Sequence, residues 1–382
     1  MTDIPRKLSH LQTPTLLVDP ARLDRNVKRL RERAAKLKVK LRPHLKTGKS
    51  LDVARQVLDG GAGPATVSTL AEAEYFAAGG VTDILYAVGI APQKLERVAK
   101  LRAKGCDLAV LLDSMDQAQA VADKSKETGD PIPAFIEIDS DGHRSGLAPD
   151  DPALIEIARC LHEGGAEMRG VLAHAGESYT VSGSEAHAEF AELERSMTVK
   201  AADNIRAAGI PCPEVSVGST PTAHGAQSLE GVTELRAGVY SFFDLFMAGI
   251  GVCTLDDIAM TVLATVIGHQ KDKGWIIVDA GWMAMSRDRG TAAQEIDQGY
   301  GLVADAGGEI YPDLIMSGAN QEHGILSIRP GSTATLPDLA IGTQVRILPN
   351  HACATAAQYS GYNVLKPGST ELSAFWPRMN GW

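Results

Sequence analysis

One lysine stands where its side chain could act as a nucleophile. Lys46 follows a short apolar run at residues 39–41, and Pro43 and His44 come just before it. A lysine one turn beyond a buried strand can extend into the mouth of a barrel, where we expect desolvation and the nearness of Arg42 or His44 to lower its pKa. A neutral amine of this kind can form a Schiff base. The sequence therefore predicts a reactive Lys46, with an ordinary surface lysine as the alternative.

A second group of residues could hold a phosphate. Gly218, Ser219 and Thr220 follow an apolar run at residues 215–217 and supply hydroxyls and accessible backbone N–H groups. Barrels commonly hold a phosphate after the seventh strand with such groups, although a plain turn has the same composition. A phosphate site combined with a Schiff-base lysine suggests pyridoxal phosphate as the cofactor.

Two residues near the end of the chain could bind a metal ion. His351 and Cys353 follow an apolar run at residues 344–348, and residues two apart in an extended segment point to the same side. Imidazole and thiolate together suit zinc, with water or substrate completing the site. A buried cysteine beside a structural histidine is the alternative. His323, in the polar cluster 321–324, is a candidate acid, base or partner of a metal ligand, unless it lies on a solvated loop.

The segments that would carry these residues alternate between strands and helices up to about residue 245. Eight short apolar runs are separated by stretches of helical period. The runs lie at residues 39–41, 65–67, 84–87, 108–112, 134–138, 170–173, 215–217 and 233–236. They predict an α/β fold with a closed parallel (β/α)8 barrel, the run at 233–236 being the weakest. After residue 250, apolar runs without long helices predict a second, mostly β domain.

The composition narrows the class of protein. Of 382 residues, 44% are hydrophobic and 22% are charged, which excludes a disordered chain. The net charge of −10 argues against a nucleic-acid partner. No apolar run is long enough to span a membrane, and the first ten residues lack the apolar core of a signal peptide. Five scattered cysteines without a C-x-x-C pair predict a cytoplasmic protein without disulfides.

Several motifs occur in an order that resembles one family. They lie at residues 13–15, 42–47, 68–73, 218–221, 321–324 and 351–353, and Arg-Pro-His-Leu-Lys-Thr at 42–47 is specific among them. In this combination the sequence resembles the D-threonine aldolase and eukaryotic-type D-serine dehydratase family. Its members are metal-activated pyridoxal-phosphate enzymes of the alanine racemase fold. The resemblance runs from about Thr13 to Trp382.

The resemblance implies a role for each position. Lys46 would carry the cofactor, Arg144 would lie near its phenolic oxygen, and His174 near its pyridine nitrogen. His351 and Cys353 would bind a divalent metal, zinc or manganese. The residues implied to bind the rest of the cofactor, chiefly its phosphate, are Tyr179, Gly218, Ser219, Thr220 and Tyr240.

The family also implies an assembly and a division into domains. Its members are typically homodimers, with the β domain of one subunit near the barrel mouth of the other. The N-terminal strand belongs to the β domain in this family. We therefore expect a cofactor-binding barrel at residues 23–250 and a β domain with the metal site at residues 1–22 and 251–382.

The resemblance leaves open two lyase reactions on β-hydroxy-D-amino acids. An aldolase removes the β-hydroxyl proton, with His323 or a metal-bound water as base, and releases glycine and an aldehyde. A dehydratase removes the Cα proton, with Lys46 as base, and yields a 2-oxo acid and ammonia. The His-x-Cys pattern is typical of the dehydratases, whereas residues 281–290 are closer to the aldolases. We predict a D-threonine aldolase, with D-serine dehydratase as the alternative.

Two other classes of protein remain as rivals. An amino-acid racemase of the same fold would need a second base and no metal. A carrier of pyridoxal phosphate would need only the barrel, and the β domain with its His-x-Cys pattern argues against it.

Overall fold

The computed structural model describes residues Lys7–Trp382, which form two compact units. The barrel unit comprises residues 28–49, 54–238 and 381–382. The β unit comprises the described residues up to 27 together with residues 50–53 and 239–380. Each unit is built on a sheet of its own.

Eight parallel strands follow the first strand, β1 (Thr15–Val18), along the chain. They are β2 (Lys40–Pro43), β3 (Ala65–Val67), β4 (Asp83–Gly89), β5 (Asp107–Leu112), β6 (Pro133–Ile138), β7 (Glu167–Ala173), β8 (Glu214–Val217) and β9 (Glu234–Ala237). They pair in the order β2-β9-β8-β7-β6-β5-β4-β3. The end strands β2 and β3 meet through one bridge between His44 and Thr66, so the barrel is nearly closed. The predicted (β/α)8 barrel is confirmed, including its weakest strand.

Eleven α-helices lie within the described residues. They are α1 (Pro20–Lys36), α2 (Leu51–Val57), α3 (Leu70–Ala78), α4 (Leu95–Arg102), α5 (Met115–Thr128), α6 (Pro152–Glu163), α7 (Ser184–Ala207), α8 (Thr220–Gly225), α9 (Leu245–Gly249), α10 (Trp282–Met285) and α11 (Ala352–Ala356). Helices of the barrel unit follow from local chemistry, as α6 illustrates. Asp151 accepts a hydrogen bond from the Ala153 N–H (2.9 Å) and caps the start, while Leu154, Ile157 and Leu161 recur on the buried face.

The β unit contains a sheet of nine strands. Besides β1 they are β10 (Met260–Gln270), β11 (Trp275–Val278), β12 (Gly301–Asp305), β13 (Ile310–Ala319), β14 (Gly324–Ile328), β15 (Gln344–Pro349), β16 (Gly361–Leu365) and β17 (Leu372–Pro377). Six of them close on themselves, because the series β11-β14-β13-β12-β15-β10 returns to β11 through a second pairing of β10. Strands β1, β16 and β17 continue the sheet from β10. The predicted mostly β domain is thereby confirmed.

Three strands of the β unit, β12, β13 and β16, contain only short apolar stretches, such as residues 314–316 in β13. β13 contains Pro312, Asp313 and Gly318, residue types that usually mark turns. Asp313 has a φ of +51°, and the pairing of β13 with β14 shifts register before Gly318. Such an irregular strand is specified by its neighbours more than by its own alternation.

Helix lengths and hydropathies bear on membrane insertion. Between Lys7 and Trp382, no helix combines the length and the apolar character needed to cross a bilayer.

Candidate active site

Lys46 lies just beyond the C-terminal end of β2, the edge of the barrel where chemistry is expected. Its side chain is exposed. The expectation that its amine is desolvated is therefore wrong, because the residue is exposed beyond the end of the strand. His44 is the predicted neighbour that does contact it, since the Lys46 backbone N–H donates to His44 Nδ1 over 3.4 Å.

Arg42, the alternative neighbour expected for Lys46, forms ion pairs with other residues. Its guanidinium is buried and pairs with Asp83 Oδ1 (2.6 Å) and Glu234 Oε2 (2.7 Å). Asp83 and Glu234 are the first residues of β4 and β9, so Arg42 points towards the N-terminal ends of the strands. Alternation along a strand decides which face a side chain takes, but not towards which end a long side chain reaches.

Two neutral histidines lie near Lys46. Burial and the neighbouring charges of Lys46 and Arg236 hold the pKa of His44 well below its usual value. Burial, followed by the charges of Lys46, Arg144 and Arg236, lowers the pKa of His174 to about 3. The His174 Nδ1 lies 3.0 Å from the Gly218 carbonyl oxygen, which can only accept a hydrogen bond. The proton of His174 is therefore on Nδ1, and its Nε2 is a bare acceptor.

The loop after β8 closes against the neighbouring strand. Gly218 has a φ of +139°, and a Cβ there would lie 2.0 Å from the Arg236 carbonyl oxygen, so only glycine fits. Ser219 accepts a hydrogen bond from the Thr222 N–H (3.2 Å) and caps α8. The Thr220 N–H donates to Tyr179 Oη over 3.4 Å.

Thr220 carries the feature of this loop that points to a ligand. Its hydroxyl is buried and has no hydrogen-bonding partner within residues 7–382. A buried hydroxyl without a partner costs stability. The loop therefore fits an acceptor-rich group such as a phosphate, which would satisfy this hydroxyl.

Two buried charges that sequence reasoning missed support this loop. Glu194, on α7, accepts hydrogen bonds from the N–H groups of Ala175 (3.0 Å) and Gly218 (2.9 Å) through Oε1 and from Thr222 Oγ1 (2.8 Å) through Oε2. Arg236, on β9, donates to Ser216 Oγ (2.6 Å) and to the Ala173 carbonyl oxygen. The sequence offers one signal for each residue. Glu194 is a charged residue within a helical segment, and Arg236 is a charged residue within a buried strand.

Arg144 follows β6 and is exposed, as Lys46 is. Its Nη2 lies 3.5 Å from Glu137 Oε1, and its side chain keeps about half of its surface open. Glu137 itself is buried and also accepts from Ser145 Oγ (3.1 Å). Arg144 and His174 follow the C-terminal ends of β6 and β7, and the charge of Arg144 helps to lower the pKa of His174.

His351 and Cys353 lie in the β unit, at the beginning of α11. The expectation of an extended segment is wrong, because a helical turn starts at Ala352. The backbone N–H of Ala352 donates to Asp244 Oδ2 (2.8 Å). The two side chains nevertheless interact, because hydrogen bonding to Cys353 is one of the causes that raise the pKa of His351.

Asp288 fixes the orientation of His351. Its Oδ2 lies 2.6 Å from His351 Nδ1, while its Oδ1 accepts from the Gly290 N–H (2.9 Å). Burial alone would lower the pKa of His351, but hydrogen bonds to Asp288 and Cys353 raise it to about 11. A carboxylate on Nδ1 is the usual partner of a metal-binding imidazole, and it leaves Nε2 for the metal.

The donor set of this pair fits a metal with open coordination positions. Within the part of the chain that the structure describes, no three or more His, Cys, Asp or Glu side chains form a metal-binding cluster. A metal held by His351 and Cys353 would therefore take its remaining ligands from water or substrate.

Two other predicted site residues, His323 and Tyr240, also lie in the β unit. His323 is exposed in the turn between β13 and β14, where its carbonyl oxygen accepts from the Asn320 N–H (2.8 Å). That turn is attached to α10, because the Trp282 N–H donates to the Asn320 carbonyl oxygen (2.9 Å). No hydrogen bond between described residues joins the His323 side chain to His351. Tyr240 is buried in the β unit.

Two family models match most of the chain. The model described as "Alanine racemase, N-terminal domain" matches residues 18–245, and that described as "Putative serine dehydratase domain" matches residues 259–365. Their order along the chain agrees with a barrel followed by a β domain. The fold is therefore that of alanine racemase, as predicted.

Individual relatives match over nearly the whole chain. D-threo-3-hydroxyaspartate dehydratase of Delftia sp. strain HT23 is 54% identical over 97% of this chain and 98% of its own. A solved structure of a cysteine-to-alanine variant of D-threo-3-hydroxyaspartate dehydratase, in the metal-free form, has a TM-score of 0.94 at 53% identity over 98% of this chain and all of its own. D-Threonine aldolase of Filomicrobium marinum has a TM-score of 0.80 at 25% identity over 98% of this chain and 97% of its own. The chain belongs to the D-threonine aldolase and D-serine dehydratase family of the alanine racemase fold.

Proposed function

We propose that this protein is a lyase that uses pyridoxal phosphate and a divalent metal to remove water from a β-hydroxy-D-amino acid. The observation that carries the proposal is the group of residues at one end of the barrel. An exposed lysine, a neutral histidine acceptor and a loop with a buried, unpartnered hydroxyl follow β2, β7 and β8. These are the groups that a phosphate-bearing aldehyde cofactor requires.

The residues of the barrel unit fit this cofactor. Lys46 would bear it, and the hydroxyl of Thr220 with the backbone of Gly218 and Ser219 would hold its phosphate. Pyridoxal phosphate supplies an electron sink for the bond broken at Cα. His174 would present Nε2 as an acceptor that cannot donate, because its single proton is held on Nδ1 by the Gly218 carbonyl oxygen. Lys46 is exposed, and its amine would be available to take up the Cα proton once the substrate's amino group had replaced it on the cofactor.

The β unit would contribute the metal. His351 and Cys353 would hold it, with Asp288 keeping Nε2 of His351 directed outwards. A divalent cation supplies a Lewis acid for the departing β-hydroxyl. A nitrogen and a sulfur donor suit zinc better than a hard cation, and manganese is the second candidate. The similarity to a dehydratase whose variant was solved in a metal-free form supports a metal requirement.

Two observations favour dehydration over the aldol cleavage predicted from the sequence. The identity to a dehydratase is 54%, against 25% to the solved D-threonine aldolase. An aldolase also needs a base for the β-hydroxyl proton, and His323, one of the two bases expected for it, is exposed on a turn. The aldolase remains the second candidate, because the likeness to that aldolase extends over nearly the whole chain.

The test separates the two reactions by their products. The purified protein with cofactor is incubated with D-threo-3-hydroxyaspartate, D-threonine and D-serine, with and without divalent metal. We expect D-threo-3-hydroxyaspartate to give oxaloacetate and ammonia. Glycine with an aldehyde from any of these substrates would identify an aldolase instead. Inversion at Cα that persists after chelation would identify a racemase, and no reaction at all would refute the lyase.

Two variants with matched controls test the residue roles. Lys46→Ala should abolish the visible absorbance of the bound cofactor, whereas Lys40→Ala, an exposed lysine of β2, should preserve it. Cys353→Ala should abolish turnover and leave that absorbance intact, whereas Cys253→Ala should retain activity. Loss of the absorbance in Cys353→Ala would instead give the metal a structural role.

We also propose a homodimer and a cytoplasmic location. None of the five cysteines, all of which lie within residues 7–382, forms a disulfide, which suits a reducing compartment. Sedimentation of the loaded enzyme would test the dimer.

A further inference from the structure

The β unit contains a cavity that none of the residues discussed so far lines. Its volume is about 240 Å³, and it is bordered by the start of α1, the turn between β12 and β13, and the middle of β15. Its charged lining residues are Asp19, Arg22, Asp256, Glu309 and Arg346. His351, Cys353 and Asp288 are not among the lining residues, so this cavity is separate from the candidate metal pair.

Arg346 is the unusual residue of this cavity. It lies on β15 between Leu263 of β10 and Ala304 of β12, and only 7% of its surface is exposed. Its Nε and Nη2 atoms are buried without a hydrogen-bonding partner among the described residues. A buried cation without a paired anion is strongly unfavourable. The fold therefore bears a cost here that a bound anion would relieve.

The two carboxylates whose charges act on Arg346, those of Asp19 and Asp305, accept hydrogen bonds from other groups. Asp19 Oδ1 accepts from the N–H groups of Ala21 (2.9 Å) and Arg22 (3.2 Å) at the start of α1. Asp305 Oδ1 accepts from the N–H groups that follow it in its own turn, over 2.8 and 3.0 Å. Neither forms an ion pair with Arg346, although their charges act on it from a distance, and burial lowers its pKa.

Arg22 is fully engaged, in contrast to Arg346. It donates to the carbonyl oxygens of Leu255 (3.3 Å) and Ile258 (3.2 Å), and its guanidinium lies 3.6 Å from Asp19 and 3.8 Å from Asp256. Arg346 is therefore the cation of this cavity with capacity for a ligand.

The space in front of Arg346 is kept open by a glycine. A Cβ at Gly308 would lie 3.2 Å from Arg346 Nη1, so any side chain there would crowd the guanidinium. Gly308 also has a φ of +99°, which disfavours other residues. The turn between β12 and β13 thus leaves Nη1 of Arg346 uncrowded.

The charged residues that line the cavity determine which class of anion it favours. Two arginines face three acidic residues, so the cavity as a whole does not favour a ligand of high negative charge. A single carboxylate could pair with Arg346, while a positive group on the same molecule would suit Asp256 and Glu309. We propose that this cavity is a binding site for a small amino-acid zwitterion, with its carboxylate on Arg346.

The test uses a zwitterion that cannot react at Lys46. N,N-Dimethylglycine has a carboxylate and a tertiary ammonium group, and without a primary amine it cannot form a Schiff base with the cofactor. Calorimetric titration of the loaded protein should detect its binding. The affinity should fall about tenfold or more in Arg346→Met, because a hydrogen-bonded charge pair is lost. Lys271→Met removes an exposed charge of the same unit and should bind like the wild type.

The comparison ligands are acetate and inorganic phosphate, each expected to bind more weakly than the zwitterion. Tighter binding of phosphate would overturn the zwitterion assignment. Absence of N,N-dimethylglycine binding to the wild type, or equal binding to Arg346→Met, would overturn the site. Without ligand, Arg346→Met should melt at the wild-type temperature or higher, because a buried cation without a partner is replaced by an apolar side chain. A clear fall in Tm would mean that Arg346 is already paired within the fold, and it would overturn the proposal.

Discussion

Glu194 offers a decisive test of how the cofactor loop is held. Its carboxylate accepts from the backbone N–H groups of Ala175 and Gly218 and from the Thr222 hydroxyl, all within 3.0 Å. In Glu194→Ala both buried N–H groups lose their acceptor, at about 1 to 3 kcal/mol each. We therefore expect the free energy of unfolding to fall by about 2 to 6 kcal/mol.

Glu194→Gln is the matched control. The amide oxygen can still accept from both N–H groups, and the amide nitrogen can donate to Thr222 Oγ1, whose hydroxyl is free to rotate. Removing a buried charge also relieves desolvation, which raises the pKa of Glu194 in the wild type. We therefore expect the free energy of unfolding of Glu194→Gln to lie within about 1 kcal/mol of the wild-type value.

The assay has two readouts. Urea unfolding followed by fluorescence measures the free energy, and titration of the apoprotein with pyridoxal phosphate measures whether the loop still binds. Glu194→Ala should lose both stability and affinity, whereas Glu194→Gln should keep both. If both variants were equally impaired, the charge of Glu194 opposite Arg236 would matter more than its hydrogen bonds, and the present reasoning would be refuted.

Three further predictions concern single residues. Gly218→Ala should abolish cofactor binding because its Cβ would meet the Arg236 carbonyl oxygen at 2.0 Å, whereas Gly209→Ala, also at positive φ but with open space, should bind normally in the same titration. The pKa of His174 is about 3 in the folded protein and about 6.5 in the unfolded chain. Between these two pH values the unfolded chain therefore binds a proton at His174 that the folded protein does not. Urea unfolding should show stability falling below pH 6.5 by about 1.4 kcal/mol per pH unit from this group, with a shallower slope in His174→Asn. Asp288→Asn should weaken metal binding by about 10- to 100-fold in a chelator competition, and an unchanged affinity would rule out its orienting role.

The barrel could be predicted because each of its strands has a recognisable local sequence pattern. Its strands are short apolar runs, and polar loops begin where the runs end, which was enough to locate Lys46, His174 and the residues from Gly218 to Thr220. The weak run at residues 233–236 completes the count of eight strands that predicts the barrel, and it forms β9. Local patterns and a count were therefore sufficient for the fold.

The supporting contacts could not be predicted in the same way. Glu194 and Gly218 are 24 residues apart, and Asp288 and His351 are 63 apart. A single sequence contains no pattern that predicts a hydrogen bond between the two members of either pair. The direction of Arg42 was likewise fixed by acidic residues that begin distant strands.

The position of β1 has a consequence for the order in which the chain can fold during synthesis. Residues 15–18 pair with β10 on one side and with β16 on the other, and β16 ends at residue 365. The strands of the barrel unit are complete by residue 237, so that sheet can form while the rest of the chain is still being made. The β unit cannot, because its first strand must wait for partners more than 240 residues away. During that interval Leu16, Leu17 and Val18, fully buried in the finished fold, form an exposed apolar strand edge that a chaperone or a second nascent chain could capture.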